Sequence, residues 1–156
     1  INKLPANFKW IGLIKLIFPN SKIINCERNS LDTCLSIFQQ NFIIKGNEYS
    51  FNLIEIGRYY NLYLDYMKYW SNIKIDLFHN IKYENIIKEQ KKEVSKLLKH
   101  CSLNWEEKCL EFYKNKRTVR TSSDLQVRKK IYSTSIDKNN FYKKELLPLT
   151  NMLKSK

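Results

Sequence analysis

Arg28 and Ser36 are the residues whose types and spacing first suggest a chemical function. An arginine presents a planar set of N–H donors that fits a phosphate group, and a serine hydroxyl can add a further hydrogen bond. The two residues stand eight positions apart, in a segment that reads as strand, polar turn and helix. Together they could hold one phosphate. An arginine at a strand end is equally typical of a solvated residue or a structural ion pair, so the spacing alone leaves both interpretations open.

The sequence around these two residues predicts the elements that would position them. Lys22–Cys26 is β-branched and apolar and follows a turn, which predicts a buried strand. Asn29 or Ser30 can cap the first turn of the helix predicted over Leu31–Phe38, whose apolar residues repeat at helical spacing. A strand that leads into a helix N-terminus presents unpaired N–H groups, and these favour an anion.

The rest of the chain predicts several further helices and one more strand. Apolar residues at helical spacing predict helices over the ranges Trp10–Phe18, Phe51–Trp70 and Asn85–Cys101, and a helix that starts with a capping box at Asn104–Glu107. A final helix is predicted over Asn140–Lys154, interrupted or kinked at Pro148. A second strand is predicted over Lys74–Lys82, and Gln39–Tyr49 reads as a loop. Neither histidine stands at catalytic spacing from a partner, so both are expected to be structural or exposed.

Composition narrows the class of protein. The chain has 156 residues and a net charge of +13, from 28 basic and 15 acidic side chains, which favours anionic partners. No apolar run is long enough to span a membrane. The four cysteines form no CxxC pair and have apolar neighbours, which indicates reduced core thiols, no metal site and a reducing, cytoplasmic compartment.

Longer stretches of the sequence resemble a known family. The segment Phe18–Ser36 is similar to the 3′-phosphate-binding segment of sulfotransferases that use PAPS (3′-phosphoadenosine 5′-phosphosulfate), and is most similar to the protein-tyrosine and TPR-linked branch. The resemblance implies that Arg28 and Ser36 bind the 3′-phosphate of PAPS or of its product PAP. The tyrosine branch carries an arginine four residues after the serine, where this chain has Gln40.

Two further positions match segments of the same family. Asn2–Pro5 resembles a segment near the donor sulfate, which implies that Lys3 is catalytic and neutralises charge on the moving sulfuryl group. Without the resemblance, Lys3 would be a terminal lysine of no special role. The pattern of a strand followed by Tyr83-Glu84 resembles the segment that carries a donor-contacting tyrosine, and the alternative for Tyr83 is an ordinary half-buried side chain.

The basic segment that ends near Tyr132 carries the remaining family positions. Arg120–Arg128 resembles a stretch that folds over the donor, which implies that Ser122 and Arg128 bind the cofactor and that Ser123 is catalytic. Lys138 matches a further cofactor-binding position, although Asn139 replaces the tryptophan that usually follows. Composition alone is also typical of a solvated basic loop.

The resemblance implies an α/β fold of three layers, like that of P-loop NTPases, with a short, mostly parallel sheet flanked by helices. Residues 1–156 would form one sulfotransferase-like domain, the C-terminal part of the complete one. No Gly-rich phosphate loop occurs in the sequence, so the unit that binds the 5′-phosphosulfate, and the catalytic base beside it, are expected upstream.

The implied reaction moves a sulfuryl group from PAPS to a hydroxyl acceptor by in-line displacement, without a metal ion. The acceptor could be a peptide, a carbohydrate or a small molecule, since no residue pattern distinguishes them, and none predicts the oligomeric state. Two alternatives remain open. The charge and the aromatic content also fit a basic nucleic-acid-binding domain, although no nucleic-acid-binding signature supports such a partner. The chain could also be a non-catalytic remnant that binds nucleotide.

Overall fold

A computed structural model describes residues 1–40, 42, 45–73, 78–115 and 127–153. The helices in chain order are α1 (Ile11–Ile17), α2 (Ser30–Phe38), α3 (Leu53–Asn72), α4 (Tyr83–Lys88), α5 (Gln90–His100) and α6 (Leu147–Met152). The strands are β1 (Ile23–Glu27) and β2 (Phe78–Lys82). Short 3₁₀ helices cover Pro5–Trp10, Glu48–Phe51, Glu107–Lys114 and Lys138–Tyr142.

The predicted α/β class is confirmed. β1 and β2 pair in a short two-stranded parallel sheet, and helices precede and follow each strand along the chain. The chain divides into two compact units. The first unit comprises Ile1–Ile23, Asn29–Phe78 and Asp137–Lys156, and the second comprises Ile24–Arg28 and His79–Ile136.

The core of the first unit lies where α2, α3 and α6 meet. Its buried side chains are Cys34, Leu35, Ile56, Leu146 and Leu149. α6 can approach α3 closely because Gly57 has no side chain, and a Cβ atom there would lie 2.8 Å from Met152 Cγ. The Asn61 Nδ2 amide also donates to the Met152 carbonyl at 2.7 Å, so the end of α6 is fixed by packing and by a hydrogen bond.

An aromatic cluster holds the N-terminal 3₁₀ helix against α3. The Phe8 ring makes edge contacts with three tyrosine rings of α3 at centroid distances of 5.4–5.9 Å, those of Tyr59, Tyr63 and Tyr66. The indole N–H of Trp70 donates to the Phe8 carbonyl at 2.7 Å. This packing gives these aromatic residues of α3 a structural role.

The second unit is built on the paired strands and on α4 and α5. The side chains of Asn25 on β1 and Asn80 on β2 share a hydrogen bond of 3.0 Å. The rings of His79 and His100 stack with centroids 5.4 Å apart, so both histidines have the structural role expected of them.

Several local predictions are confirmed. β1 and α2 form where the sequence places a strand and a helix, and the Asn29 side chain caps α2 by accepting from the Asp32 N–H at 3.1 Å. α1 and α3 also match predicted helices. Only part of the second predicted strand can be compared, because residues 74–77 lie outside the described part of the chain.

Other local predictions are wrong. The single helix predicted over Asn85–Cys101 is divided at Glu89, whose backbone leaves the helical region at φ −138° and ψ 55°. The final helix is shorter than predicted, and its predicted interruption lies just before Pro148: α6 begins at Leu147, and Pro148 lies in its first turn, because a proline ring is compatible with a helix start.

The predicted capping box at Asn104–Glu107 is also wrong, since the 3₁₀ helix there starts at Glu107 without a side-chain cap. The prediction that all four cysteines are core thiols fails for Cys26, which is exposed near the end of β1, whereas Cys34 is buried. Side chains alternate between the two faces of a strand, so an apolar strand sequence does not bury every residue.

Candidate functional site

Arg28 follows β1 and precedes the cap of α2. Its guanidinium Nη2 donates to the Ser135 carbonyl, and the guanidinium carbon lies 5.5 Å from the centre of the Tyr83 ring. The Nε atom is buried and has no hydrogen-bond partner among the described residues. A buried donor without a partner costs about 1–3 kcal/mol, so it invites an explanation such as a bound anion or water.

Tyr83 connects this guanidinium to the turn that contains Ser135. It is the first residue of α4, and its hydroxyl lies 3.1 Å from the Tyr132 carbonyl and 3.0 Å from Ser135 Oγ. Because one hydroxyl has a single proton, Tyr83 donates to the carbonyl and accepts from the Ser135 hydroxyl. Arg28, Tyr83, Tyr132 and Ser135, all in the second unit, are called the Arg28 cluster below.

Ser36 lies on α2 in the first unit and is exposed. It is therefore open to a ligand, whereas its neighbours Cys34 and Leu35 point into the core. Arg28 and Ser36 belong to different units, and their joint role stays a prediction that rests on the sequence motif.

Lys138 is fixed against α2 within the first unit. The Asp32 carboxylate accepts hydrogen bonds from the backbone N–H groups of Asp137 and Asn139, both at 2.8 Å, and from the Asn139 side-chain amide at 2.9 Å. Between these bonded residues, the Lys138 ammonium donates to Gln39 Oε1 at 2.8 Å. The departure from the family pattern at Asn139 thus supplies one of the three donors that satisfy a buried carboxylate, the side-chain amide.

Lys3 and Arg128 have different surroundings. Lys3 is exposed ahead of the 3₁₀ helix that starts at Pro5, in a stretch where the Asn7 amide donates to Asn2 Oδ1 at 2.8 Å. The Arg128 guanidinium donates to the Asn115 carbonyl in the second unit. Ser122 and Ser123 lie outside the described residues.

The structure thus brings together two groups of the predicted residues. Arg28 and Tyr83 share one cluster in the second unit, and Ser36 and Lys138 both lie at α2 in the first. Asp32 and Ser135 are not among the functional residues predicted from the sequence. Ser135 belongs to the hydroxyl-rich stretch Ser133–Ser135. No local signal marks Asp32, because its partners are more than 100 residues away.

Two other classes of site are absent from residues 1–40, 42, 45–73, 78–115 and 127–153. No cluster of three or more His, Cys, Asp or Glu side chains in these ranges is arranged to hold a metal ion. The same ranges contain no helix that is both long and apolar enough to cross a membrane.

Comparison with known proteins gives two matches. Residues 1–107 match the model of a family described as "Sulfotransferase family". A curated protein of Aquifex aeolicus (strain VF5), named only "Uncharacterized protein", is 39% identical over 155 residues. That match covers 98% of this chain and 20% of the other protein, so the chain spans about a fifth of the length of this relative.

Proposed function

Because this chain belongs to the sulfotransferase family, we propose that it is part of an enzyme that transfers a sulfuryl group from PAPS to a hydroxyl acceptor. Within that enzyme, residues 1–156 would supply the surface that binds the 3′-phosphate of the donor. We place the chain in the protein-tyrosine and TPR-linked branch, on the similarity of the Phe18–Ser36 segment. The acceptor would be a peptide, a carbohydrate or a small molecule.

The Arg28 cluster is the observation that carries this proposal. A guanidinium at the end of β1 is held over the Tyr83 ring, and its buried Nε has no partner among the described residues. A phosphate oxygen is an acceptor of the kind that this N–H lacks, and a charged acceptor gives a stronger hydrogen bond than a neutral one. The residues therefore fit a phosphate-bearing nucleotide such as PAPS or PAP.

The proposed roles separate binding from chemistry. The residues assigned to nucleotide binding are Arg28, Ser36, Tyr83, Ser122, Arg128 and Lys138. PAPS supplies the activated sulfuryl group, and Lys3 and Ser123 would stabilise negative charge on that group and on its leaving oxygen. Such electrostatic stabilisation and positioning provide most of the rate enhancement in comparable phosphoryl transfers.

Calorimetric titration of the 156-residue chain with PAP and with AMP tests the proposal. The two nucleotides share the 5′-phosphate and differ in the 3′-phosphate, so the ratio of their affinities reports the predicted site. We expect PAP to bind more tightly than AMP. Arg28→Ala should cost about 1.5–3 kcal/mol of PAP binding, because charge-assisted hydrogen bonds are lost.

Two variants make the result specific. Arg28→Lys keeps the charge but loses the planar set of donors, so it should recover only part of the affinity. Lys88→Ala removes an exposed cation of the same unit away from the Arg28 cluster and serves as the matched control. Equal affinity of the unmodified chain for PAP and AMP would eliminate the 3′-phosphate site.

A further inference from the structure

A buried carboxylate on α2 organises a segment that lies more than 100 residues later in the chain. Asp32 is 2% exposed, and its two oxygens accept three hydrogen bonds from Asp137 and Asn139. A carboxylate removed from water is tolerated only where its oxygens are hydrogen-bonded. The position of Asp32 in the first turn of α2 also lets the positive end of the helix dipole stabilise its charge.

These bonds fix the backbone on both sides of Lys138. The residue before it, Asp137, adopts the left-handed conformation at φ 57° and ψ 19°, and the residue after it, Asn139, is 8% exposed. Lys138 therefore leaves the backbone from a turn with little freedom. Its ammonium is held in turn by the Gln39 side chain at 2.8 Å.

The Lys138 side chain consequently runs along the side of α2 that carries Ser36. Asp32, Ser36 and Gln39 stand at i, i+4 and i+7, and residues at this spacing lie on one side of a helix. Asp32 bonds the backbone on both sides of Lys138, and Gln39 bonds the far end of its side chain. The exposed Ser36 lies between these two contacts along the helix.

The ammonium at this position keeps its positive charge available. Its hydrogen-bond partner is a neutral amide, which an incoming anion can replace without breaking an ion pair. α2 itself supplies no cation, since Ser30–Phe38 contains no lysine or arginine and is followed by Gln39 and Gln40. Lys138 therefore supplies positive charge to a helix face that has none of its own.

We propose that Asp32 is a positioning residue that holds the Lys138 ammonium beside Ser36, where the ammonium and the hydroxyl bind one phosphate group. On this arrangement Lys138 supplies the positive charge that is missing at Gln40. The inference rests on the proposed function, because the phosphate is the 3′-phosphate of the nucleotide. Asp32 acts only through the turn that it anchors.

The ratio of PAP to AMP affinity, measured by calorimetry for three variants of the 156-residue chain, tests this inference. Lys138→Met removes the charge and leaves the three bonds of Asp32 intact, and should lower PAP affinity about tenfold with little effect on AMP. Asp32→Asn should lower the same ratio, because its amide cannot accept from the Asp137 N–H and the turn loosens. Lys138→Arg should retain most of the preference for PAP. Lys144→Met, an exposed cation of the same unit, is the control and should leave the ratio unchanged.

The affinity ratio separates positioning from stability. If Asp32 served the fold alone, Asp32→Asn would reduce the fraction of active protein but leave the affinity ratio as in the unmodified chain, and this would overturn the inference. An unchanged ratio for Lys138→Met would also overturn it, and this variant does not disturb the buried bonds. If Arg28→Ala loses the preference for PAP while Asp32→Asn and Lys138→Met both keep it, this inference is refuted but the proposed function is not. No preference for PAP in the unmodified chain refutes the proposed function.

Discussion

At the scale of single residues, two cysteines eight positions apart meet opposite environments. Cys34 is fully buried in the core of the first unit, and burial raises the pKa of its thiol to about 12 because the thiolate would lose its hydration. Cys26 is exposed near the end of β1. The thiolate is the reactive form of cysteine, so the buried Cys34 thiol should react much more slowly than the accessible Cys26 thiol.

We therefore expect a thiol reagent at pH 8 to label Cys26 rapidly in the folded chain and to leave Cys34 unmodified. Peptide mass spectrometry after timed labelling would locate the modified residues. The variant Cys26→Ser serves as a control that removes the fast reaction, and unfolding in denaturant should expose Cys34 to the reagent. Equal labelling rates for the two thiols in the folded chain would contradict the burial of Cys34.

Residue-scale features differ in how far the sequence predicts them. The sequence predicts Asn29 or Ser30 as the cap of α2, and Asn29 has this role, because capping depends on donors within the next three residues. Asp32 stands in the same turn, yet its role depends on Asp137 and Asn139, which no local pattern connects to it. The Arg28 cluster is predicted in part. The family resemblance selects Arg28 and Tyr83, but the carbonyl groups that they bind belong to the backbone, so no side-chain pattern marks them.

At the scale of elements, α3 depends on a residue that helix propensity disfavours. Gly57 lies in the middle of this helix, and a Cβ atom there would lie 2.8 Å and 3.0 Å from Met152 Cγ and Cβ. These atoms are close to the backbone of α6 and cannot move away as the end of a long side chain could. The close approach of α3 and α6 therefore requires glycine at this position.

Gly57→Ala should lower the free energy of unfolding, although alanine favours an isolated helix by about 1 kcal/mol. Overpacking of a core costs about 1–3 kcal/mol, so after the gain in helix propensity we expect a net loss of up to about 2 kcal/mol. Urea unfolding followed by circular dichroism would measure it. Lys68→Ala changes an exposed residue of the same helix and should be nearly neutral. A more stable Gly57→Ala variant would show that the two helices do not pack as closely as described.

Apolar periodicity predicted the existence of most elements better than their boundaries. The interval from Ile87 to Val94 keeps helical spacing across Glu89, so the sequence predicts one helix where the structure has α4 and α5. The break consists of a change in the backbone angles of Glu89. It places the Glu89 carboxylate at the start of α5, where a hydrogen bond from Lys92 lowers the pKa of the Glu89 carboxyl. Side-chain periodicity does not reveal a change of backbone angles at a single polar residue.

At the scale of the whole molecule, the division into two units was not predicted. Each unit is assembled from segments that are distant in the sequence, and a pattern analysis finds no linker because none separates them. The net charge of +13 was informative only about the class of partner. It favours an anion without distinguishing a nucleotide from a nucleic acid, and the family match favours the nucleotide.

The positions of the glycines show whether they could form a phosphate-binding loop. In loops that wrap phosphate groups, glycine lets the backbone N–H groups approach the anion closely. The chain has three glycines, and each of them has a different structural role. Gly12 and Gly57 pack against Trp70 and Met152 from within helices, and Gly46 adopts φ 96° in a turn by itself. None of them belongs to a phosphate loop.

We therefore expect the 156-residue chain to bind PAP but to transfer no sulfate. Binding of the 3′-phosphate is the step proposed for this chain, whereas transfer also requires the loop that holds the reacting phosphosulfate and a base that activates the acceptor. Incubation with ³⁵S-labelled PAPS and a phenol, a tyrosine peptide or a carbohydrate would measure transfer. A PAP titration of the same preparation would verify that the nucleotide site is folded. Turnover above the rate without protein would show that the chemistry uses residues within this chain and would refute the proposed division of the donor site.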